Sequence, residues 1–399
     1  MEHALIPTIA LSLLAAFAAA MVASWLRIPR IVGYLLAGIA VGPYTPGFVA
    51  DTALASELAE IGVMLLMFGV GMHFSLSDLR RVWKVAVPGA VLQILVATLL
   101  GLWLARLWHW PLAAGLIFGL GLSCASTIVL LKALEGRALD KHPDGHVVIG
   151  WLLVEDIVCV LVLVLLPTFG ATAQASGPAH SWRELGLTIA GVMLKMALFV
   201  ALMLLAGTRG VRWLLREVLR HDSRELFTLA IVAVSVGIAY LASHWFHVSF
   251  ALGAFLAGVV INGLPISQRI QQNAQPLQDT FAVLFFASVG MLFNPAILLE
   301  RPLDVLAVMT VILVGKSLTA LVILKVLGQA RSTARVVTAG LAQIGEFSFI
   351  LASLGTRFGL LPADGQQLIL AGALLSIAVN PLLFHLLVPV PDHPGSQPA

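Results

Sequence analysis

The chain has 399 residues, 60% of them apolar and only 11% Asp, Glu, Lys or Arg. A soluble domain carries about 25% charged residues, so this composition cannot supply a water-facing surface. The mean hydropathy of +1.00, with long apolar runs throughout, identifies an all-α polytopic membrane protein and excludes disordered, fibrous and disulfide-rich secreted classes. The pI of about 9.1 arises from scattered Lys and Arg, so no nucleic-acid partner is expected.

Residues 1–4 lack the basic region of a secretory signal. Residues 5–26 therefore read as a retained first helix with its N-terminus outside. Thirteen apolar runs follow one another at about 5–26, 31–43, 57–74, 84–107, 112–134, 146–168, 185–206, 224–242, 249–263, 278–293, 304–326, 333–356 and 365–388. Two of them, 31–43 and 249–263, are shorter than the ~20 residues of a straight crossing. Both are rich in glycine, which points to ends that are re-entrant or protected by neighbouring helices. Cys124 and Cys159 lie inside apolar runs and read as separate small core residues rather than a disulfide framework.

Lys and Arg orient these spans. With the N-terminus outside, seventeen of the 23 fall on the cytoplasmic side, from Arg27 and Arg30 to Arg331 and Arg335, and four (Arg106, Arg183, Arg301, Arg357) fall outside. This satisfies the positive-inside rule and places the C-terminus in the cytoplasm of an inner (plasma) membrane. Lys195 and Lys316 remain within spans. Lys195 reads as a snorkelling residue of the connecting helix.

An internal match runs through the chain. Gly33-Tyr-Leu-Leu-Ala-Gly38 pairs with Gly253-Ala-Phe-Leu-Ala-Gly258, and Val70-Gly71-Met72-His73-Phe74 pairs with Val289-Gly290-Met291-Leu292-Phe293, at nearly constant offset. Six helices, one connecting helix and six more would invert the second unit against the first. Inverted repeats of this kind belong to secondary transporters with a midplane site between broken helices.

Intramembrane charge is scarce and therefore informative. Glu155 and Asp156 lie in the apolar run 146–168, where an ionised Asp costs about 2.5–3.5 kcal/mol on insertion scales. Adjacent helical residues diverge by about 100°, so the two acids serve different partners. Lys316 needs a buried counter-charge. The favoured pair is Glu155–Lys316, with Asp156 free to take a monovalent cation transiently or a proton, although the swapped assignment remains open. Glu346 is a third buried acid, within Gln343-Ile-Gly345-Glu346-Phe, where glycine and serine weaken the helix. Its counterpart at the repeat offset is Ser123-Cys-Ala-Ser126-Thr127, whose hydroxyls could line a cation cavity or simply bond back to the helix.

Three further features are weaker. Asn380-Pro381 marks a kink in the last span where Asn would satisfy freed backbone groups. Arginines at 209, 212, 216 and 220 form a basic interfacial face. His142 and His146 read as solvated loop histidines. Gly119-Leu-Gly121 lacks the strand-to-helix context of a dinucleotide site, and neither HExxH nor GxSxG occurs, so neither enzyme activity nor a cofactor is expected.

These segments resemble the monovalent cation:proton antiporters, particularly the Kef-type potassium/proton branch. The matching residues are Gly33 to Pro43, Glu155-Asp156, Val289-Gly290-Met291, Lys316 and Gln343 to Phe347, in the family's order. The resemblance implies a thirteen-helix sodium/proton-antiporter-like fold with crossed, broken helices and elevator-like alternating access. It also implies a homodimer in the lipid bilayer, exchanging K+ or Na+ for H+. Within one transporter unit over 1–389, it places dimerisation parts at about 1–74 and 224–293. Core ion-binding parts lie at about 84–168 and 304–388, with a linker helix at 185–206. By position, Asp156 matches the family's ion-binding carboxylate, and Glu155 occupies the preceding position, where relatives have Gln, Asn or Asp. Many Kef-type relatives continue into a cytosolic nucleotide-binding domain; here the chain ends at Ala399 after a short tail, 390–399, so neither that domain nor its regulation is carried over by the resemblance. The rival readings are a cation channel or leak pathway, and a non-transporting membrane receptor. A channel needs a continuous lined pore, and a receptor leaves the buried acids unexplained.

Overall fold

The computed structural model describes residues 5–26, 28–46, 52–73, 76–139, 142–174, 182–221, 223–246, 250–262, 264 and 267–388. The tail 390–399 lies outside them. All regular structure among the described residues is helical. Eight helices are long and apolar enough to cross a membrane, and four shorter apolar helices accompany them at Arg30–Val41, Glu60–Met72, Leu112–Ser123 and Leu252–Asn262. The chain divides into two compact units, one of 1–22, 33–75 and 160–293, the other of 23–32, 76–159 and 294–399.

The first unit contains α1 (Leu5–Trp25) as far as Val22, α2 (Arg30–Val41) from Gly33 onward, and α3 (Thr52–His73). Glycine lets its helix backbones touch. A Cβ added at Gly38 would lie 1.9 Å from the Ala287 carbonyl oxygen, and one at Gly290 would lie 2.1 Å from that of Leu35. Likewise Gly71 would meet the Phe255 oxygen at 2.1 Å and Gly258 that of Phe68 at 2.2 Å. The two sequence-matched motifs thus make two crossings of the same construction, each from one member of either pair.

The second unit begins with α4 (Leu76–Leu107), which turns back into α5 (Leu112–Ser123). The hairpin closes where a Cβ on Gly101 would lie 2.3 Å from the Gly119 Cα. Three residues outside any helix separate α5 from α6 (Thr127–Glu135), and α7 (Pro143–Gln174) follows, within this unit as far as Cys159.

Returning to the first unit, α8 (Trp182–Leu202) runs through a π-helical turn at Met203–Gly207 into α9 (Thr208–Arg220), followed by α10 (Arg224–Phe246), α11 (Phe250–Asn262) and α12 (Ser267–Met291). The basic stretch of the sequence is α9. It buries Val211, Leu215 and Val218 and exposes its arginines and Trp213. Lys195 is exposed on α8.

The second unit resumes with α13 (Ile297–Glu300) and α14 (Pro302–Thr310), and a π-helical turn at Val311–Gly315 leads into α15 (Lys316–Val326). The remaining helices are α16 (Arg331–Leu341), α17 (Glu346–Arg357) and α18 (Ala363–Leu387). At one end of this unit Arg301 reaches both Asp304 at 3.1 Å and Asp364 at 2.8 Å, while the Trp108 indole donates to Asp304 at 2.8 Å.

Candidate functional site

The apolar runs 112–134 and 333–356 are each interrupted mid-length, and the two interruptions cross. Gly345 makes the crossing possible, because a Cβ there would lie 2.4 Å from the Ser126 Cα. Broken helices leave backbone donors and acceptors without partners in their own ladder, and each chain repairs the other. The Gly345 N–H donates to the Cys124 carbonyl at 3.1 Å, and the Ser348 hydroxyl donates to the same oxygen at 3.3 Å. The Gln343 amide oxygen accepts the Ser126 N–H at 2.8 Å, and its NH2 donates to the carbonyls of Ser126 at 3.1 Å and Gly340 at 3.2 Å. Ser376 accepts the Ile344 N–H at 3.3 Å.

The acids and the lysine attach to this crossing at chemically matched ends. Helix N-termini concentrate positive potential and C-termini negative potential. Ahead of the N-terminus of α6, the Ala125 N–H donates to Glu155 Oε2 at 3.1 Å. Beyond the C-terminus of α16, Lys316 Nζ donates to the Gln343 carbonyl at 2.9 Å. Glu155 and Lys316, both fully buried, lie within electrostatic reach of each other, yet among the described residues no direct ion pair joins them; each is hydrogen-bonded to a different backbone group. The π-helical turn immediately before Lys316 widens the helix there, a feature that recurs at functional sites.

Asp156, 4% exposed, points elsewhere. Its Oδ2 accepts the Thr127 hydroxyl at 3.0 Å, and its Oδ1 has no hydrogen-bond partner. It lies within the field of both Glu346 and Glu155. Glu346 opens α17, is 1% exposed, and has neither carboxylate oxygen hydrogen-bonded. The unpaired oxygens of Asp156 and Glu346 give the crossing an acidic, hydroxyl-edged locus suited to a proton or a small cation.

The hydroxyls divide by role. Thr127 binds Asp156, whereas Ser126 caps α6 by accepting the Val129 N–H at 3.3 Å. Ser123 bonds back to the Leu120 carbonyl at 2.7 Å and presents no free hydroxyl to the crossing. Asn380 donates to the Ala339 carbonyl at 2.8 Å, so it repairs α16 rather than its own kink. His142 is exposed and accepts the Asp144 N–H at 3.3 Å at the start of α7.

One sequence expectation is corrected. Cys124 and Cys159 are joined in a disulfide, because Cys124 stands at the break after α5 and α7 carries Cys159 past it one turn beyond Asp156. Sequence reasoning also missed Gln93 of α4, Trp151 of α7 and the hydrogen bond from Thr333 to Asp144. A polar residue in the apolar heart of 84–107 was the available signal for the first.

Crossed, interrupted helices with buried carboxylates at the breaks define an ion-coupled secondary transporter rather than an enzyme. Residues 11–389 match the family of transmembrane sodium/hydrogen exchangers, and the chain belongs to that family. It is 53% identical over 391 residues to YbaL of Escherichia coli (strain K12), named as a candidate cation/proton antiporter, covering 97% of this chain and 69% of that one. It is 34% identical over 370 residues to K(+) efflux antiporter 4 of Arabidopsis thaliana, covering 92% of this chain and 61% of the plant protein. The chain thus spans about three fifths of that plant relative's length. The sodium proton antiporter MjNhaP1 of Methanocaldococcus jannaschii has the same fold, with a TM-score of 0.67 at 16% identity over 96% of this chain and 98% of that one.

Proposed function

We propose that this protein exchanges a monovalent cation, K+ or Na+, for protons across the inner membrane by alternating access, with Asp156 as the shared site. The observation that carries this reading is Asp156 itself: a buried carboxylate at the helix crossing, one oxygen held by Thr127 and the other open. A proton and a cation compete for that open oxygen, so binding of one displaces the other and the fluxes are coupled. Glu155 and Lys316 balance each other's charge beside it, and Glu346 contributes a second acidic face.

The paired glycine crossings Gly38–Gly290 and Gly71–Gly258 support a 6+1+6 inverted repeat. The second unit acts as the ion-carrying core, and the first as the scaffold through which two copies form a homodimer. The Lys and Arg distribution supports an outside N-terminus and a cytoplasmic C-terminus. Proteoliposomes with an imposed pH gradient test the exchange: addition of K+, Na+ or Li+ dissipates the gradient with the wild type and not with Asp156→Asn. Conductance without proton coupling, or undiminished exchange in that variant, refutes it.

A further inference from the structure

A cavity of about 310 Å3 opens in the second unit where the start of α2, the end of α6 and the last turns of α18 meet. Its lining has two characters. Arg30, Arg137 and His385 supply positive charge and N–H donors, while the buried Val129 and Phe384 form an apolar wall. Among the described residues, no Asp or Glu lines it.

The two guanidinium groups are anchored yet largely unspent. Each carries five N–H donors. Arg137 bonds to the Val388 carbonyl and to His385 Nδ1, which ties the chain just beyond α6 to α18. Arg30 bonds to Ser24 Oγ at 3.2 Å. Neither has a carboxylate partner among the described residues.

Asn380 also lines the cavity and is 0% exposed. Its NH2 is spent on the Ala339 carbonyl, and its Oδ1 has no hydrogen-bond partner. Polar atoms so deeply buried are nearly always paired. Five residues of helix separate Asn380 from His385, a rise of about 7.5 Å along α18. The cavity thus combines donors at its exposed side, where Arg30 and His385 lie, with an unfilled acceptor at its buried side. Flanking it on α18, Leu382 and Leu386 are 60% and 69% exposed, which on a membrane-spanning helix is surface for acyl chains.

We infer that this cavity binds an anionic phospholipid with a hydroxylated headgroup, phosphatidylglycerol being the simplest. Phosphate oxygens accept from Arg30 and Arg137, a headgroup hydroxyl donates to Asn380 Oδ1, and the acyl chains leave over Leu382 and Leu386. In the orientation proposed above this end faces the cytoplasm, where basic pockets between spans take anionic headgroups. The site is separate from the Asp156 crossing, and its test reads binding rather than exchange.

Native mass spectrometry of the detergent-purified full chain, titrated with phosphatidylglycerol, reads one tightly held lipid per protomer, and phosphatidylcholine is not held. Arg30→Gln, which within the protein gives up the bond to Ser24, weakens the Kd at least about tenfold, as expected for loss of a hydrogen bond between charged groups. Arg137→Gln is the second variant and weakens it similarly. Arg212→Gln with Arg216→Gln on α9, a basic surface elsewhere, keeps the wild-type Kd. A wild-type Kd in either folded cavity variant overturns the inference, as does an equal loss in the α9 variant. Competition by free glycerol phosphate at the affinity of the lipid overturns a lipid as the source of the phosphate.

Discussion

The Gln343 side chain satisfies both backbone groups of Ser126, accepting its N–H at 2.8 Å and donating to its carbonyl at 3.1 Å. One amide therefore mimics a β-bridge between two interrupted helices that are 217 residues apart in sequence. Gln343→Leu removes these bonds and leaves the buried Ser126 N–H unpaired, while the Ser126 carbonyl keeps the Leu130 N–H at 3.2 Å. At 1–3 kcal/mol for an orphaned buried group, the expected loss is about 2 kcal/mol. Thermal unfolding in detergent measures it, and an unchanged Tm rejects the bridge.

Gly345 leaves no room for a side chain over Ser126. Gly345→Ala forces backbone against backbone rather than against a flexible side-chain tip. The predicted outcome is a poorly folded protein without exchange, assayed by size-exclusion profile and transport together. Gly237, with open space around its Cα, is the control: Gly237→Ala leaves both assays unchanged.

Thr127→Val deletes the single hydrogen bond to Asp156 at nearly constant volume. A hydrogen bond to a charged group contributes about 1.5–3 kcal/mol, so apparent cation affinity falls by roughly tenfold or more. The KM for K+ or Na+ in exchange assays checks this, and Ser at the same position restores it.

Lys316 and Glu155 test charge balance. Removing one buried charge strands the other, at a cost of about 3–5 kcal/mol, whereas neutralising both is far less disruptive. Lys316→Met is expected to lower the Tm sharply, and Lys316→Met with Glu155→Gln to recover most of it. Additive losses in the double variant would show that the two do not interact.

Thr333 on α16 donates to Asp144, 8% exposed, in the first turn of α7. Thr333→Val leaves that carboxylate without the hydroxyl, and a destabilisation of about 1–3 kcal/mol follows. Chemical or thermal unfolding reads it; exchange by the folded fraction is unaffected.

Much was legible in the sequence because a membrane makes local composition decisive. Apolar runs give the spans, and scarcity of charge picks out Glu155, Asp156, Lys316 and Glu346, all of which the fold gathers at one crossing. The glycine motifs at 33–43 and 253–263 were readable as an internal match, whereas their close helix approaches at Gly38 and Gly258 came from the fold, where the lack of a Cβ lets two helix backbones touch. Which oxygen each charge would face was not legible. Adjacent residues on a helix diverge, but only the path of the neighbouring broken helix sends Glu155 to Ala125 and Asp156 to Thr127. The Ser123 hydroxyl shows the opposite case, for its own helix claimed it.

The sequence by itself therefore determined that this chain lives in a membrane, which few charges it carries there, and the family to which those charges point. Tertiary structure decided that Gln343 and Gly345 knit the two breaks, that Lys316 bonds to a carbonyl rather than to Glu155, and that Cys124 meets Cys159. The reason is physical. Burial and hydropathy act on each residue where it stands in the chain, whereas hydrogen bonds at a helix break are assigned by whichever distant segment crosses it.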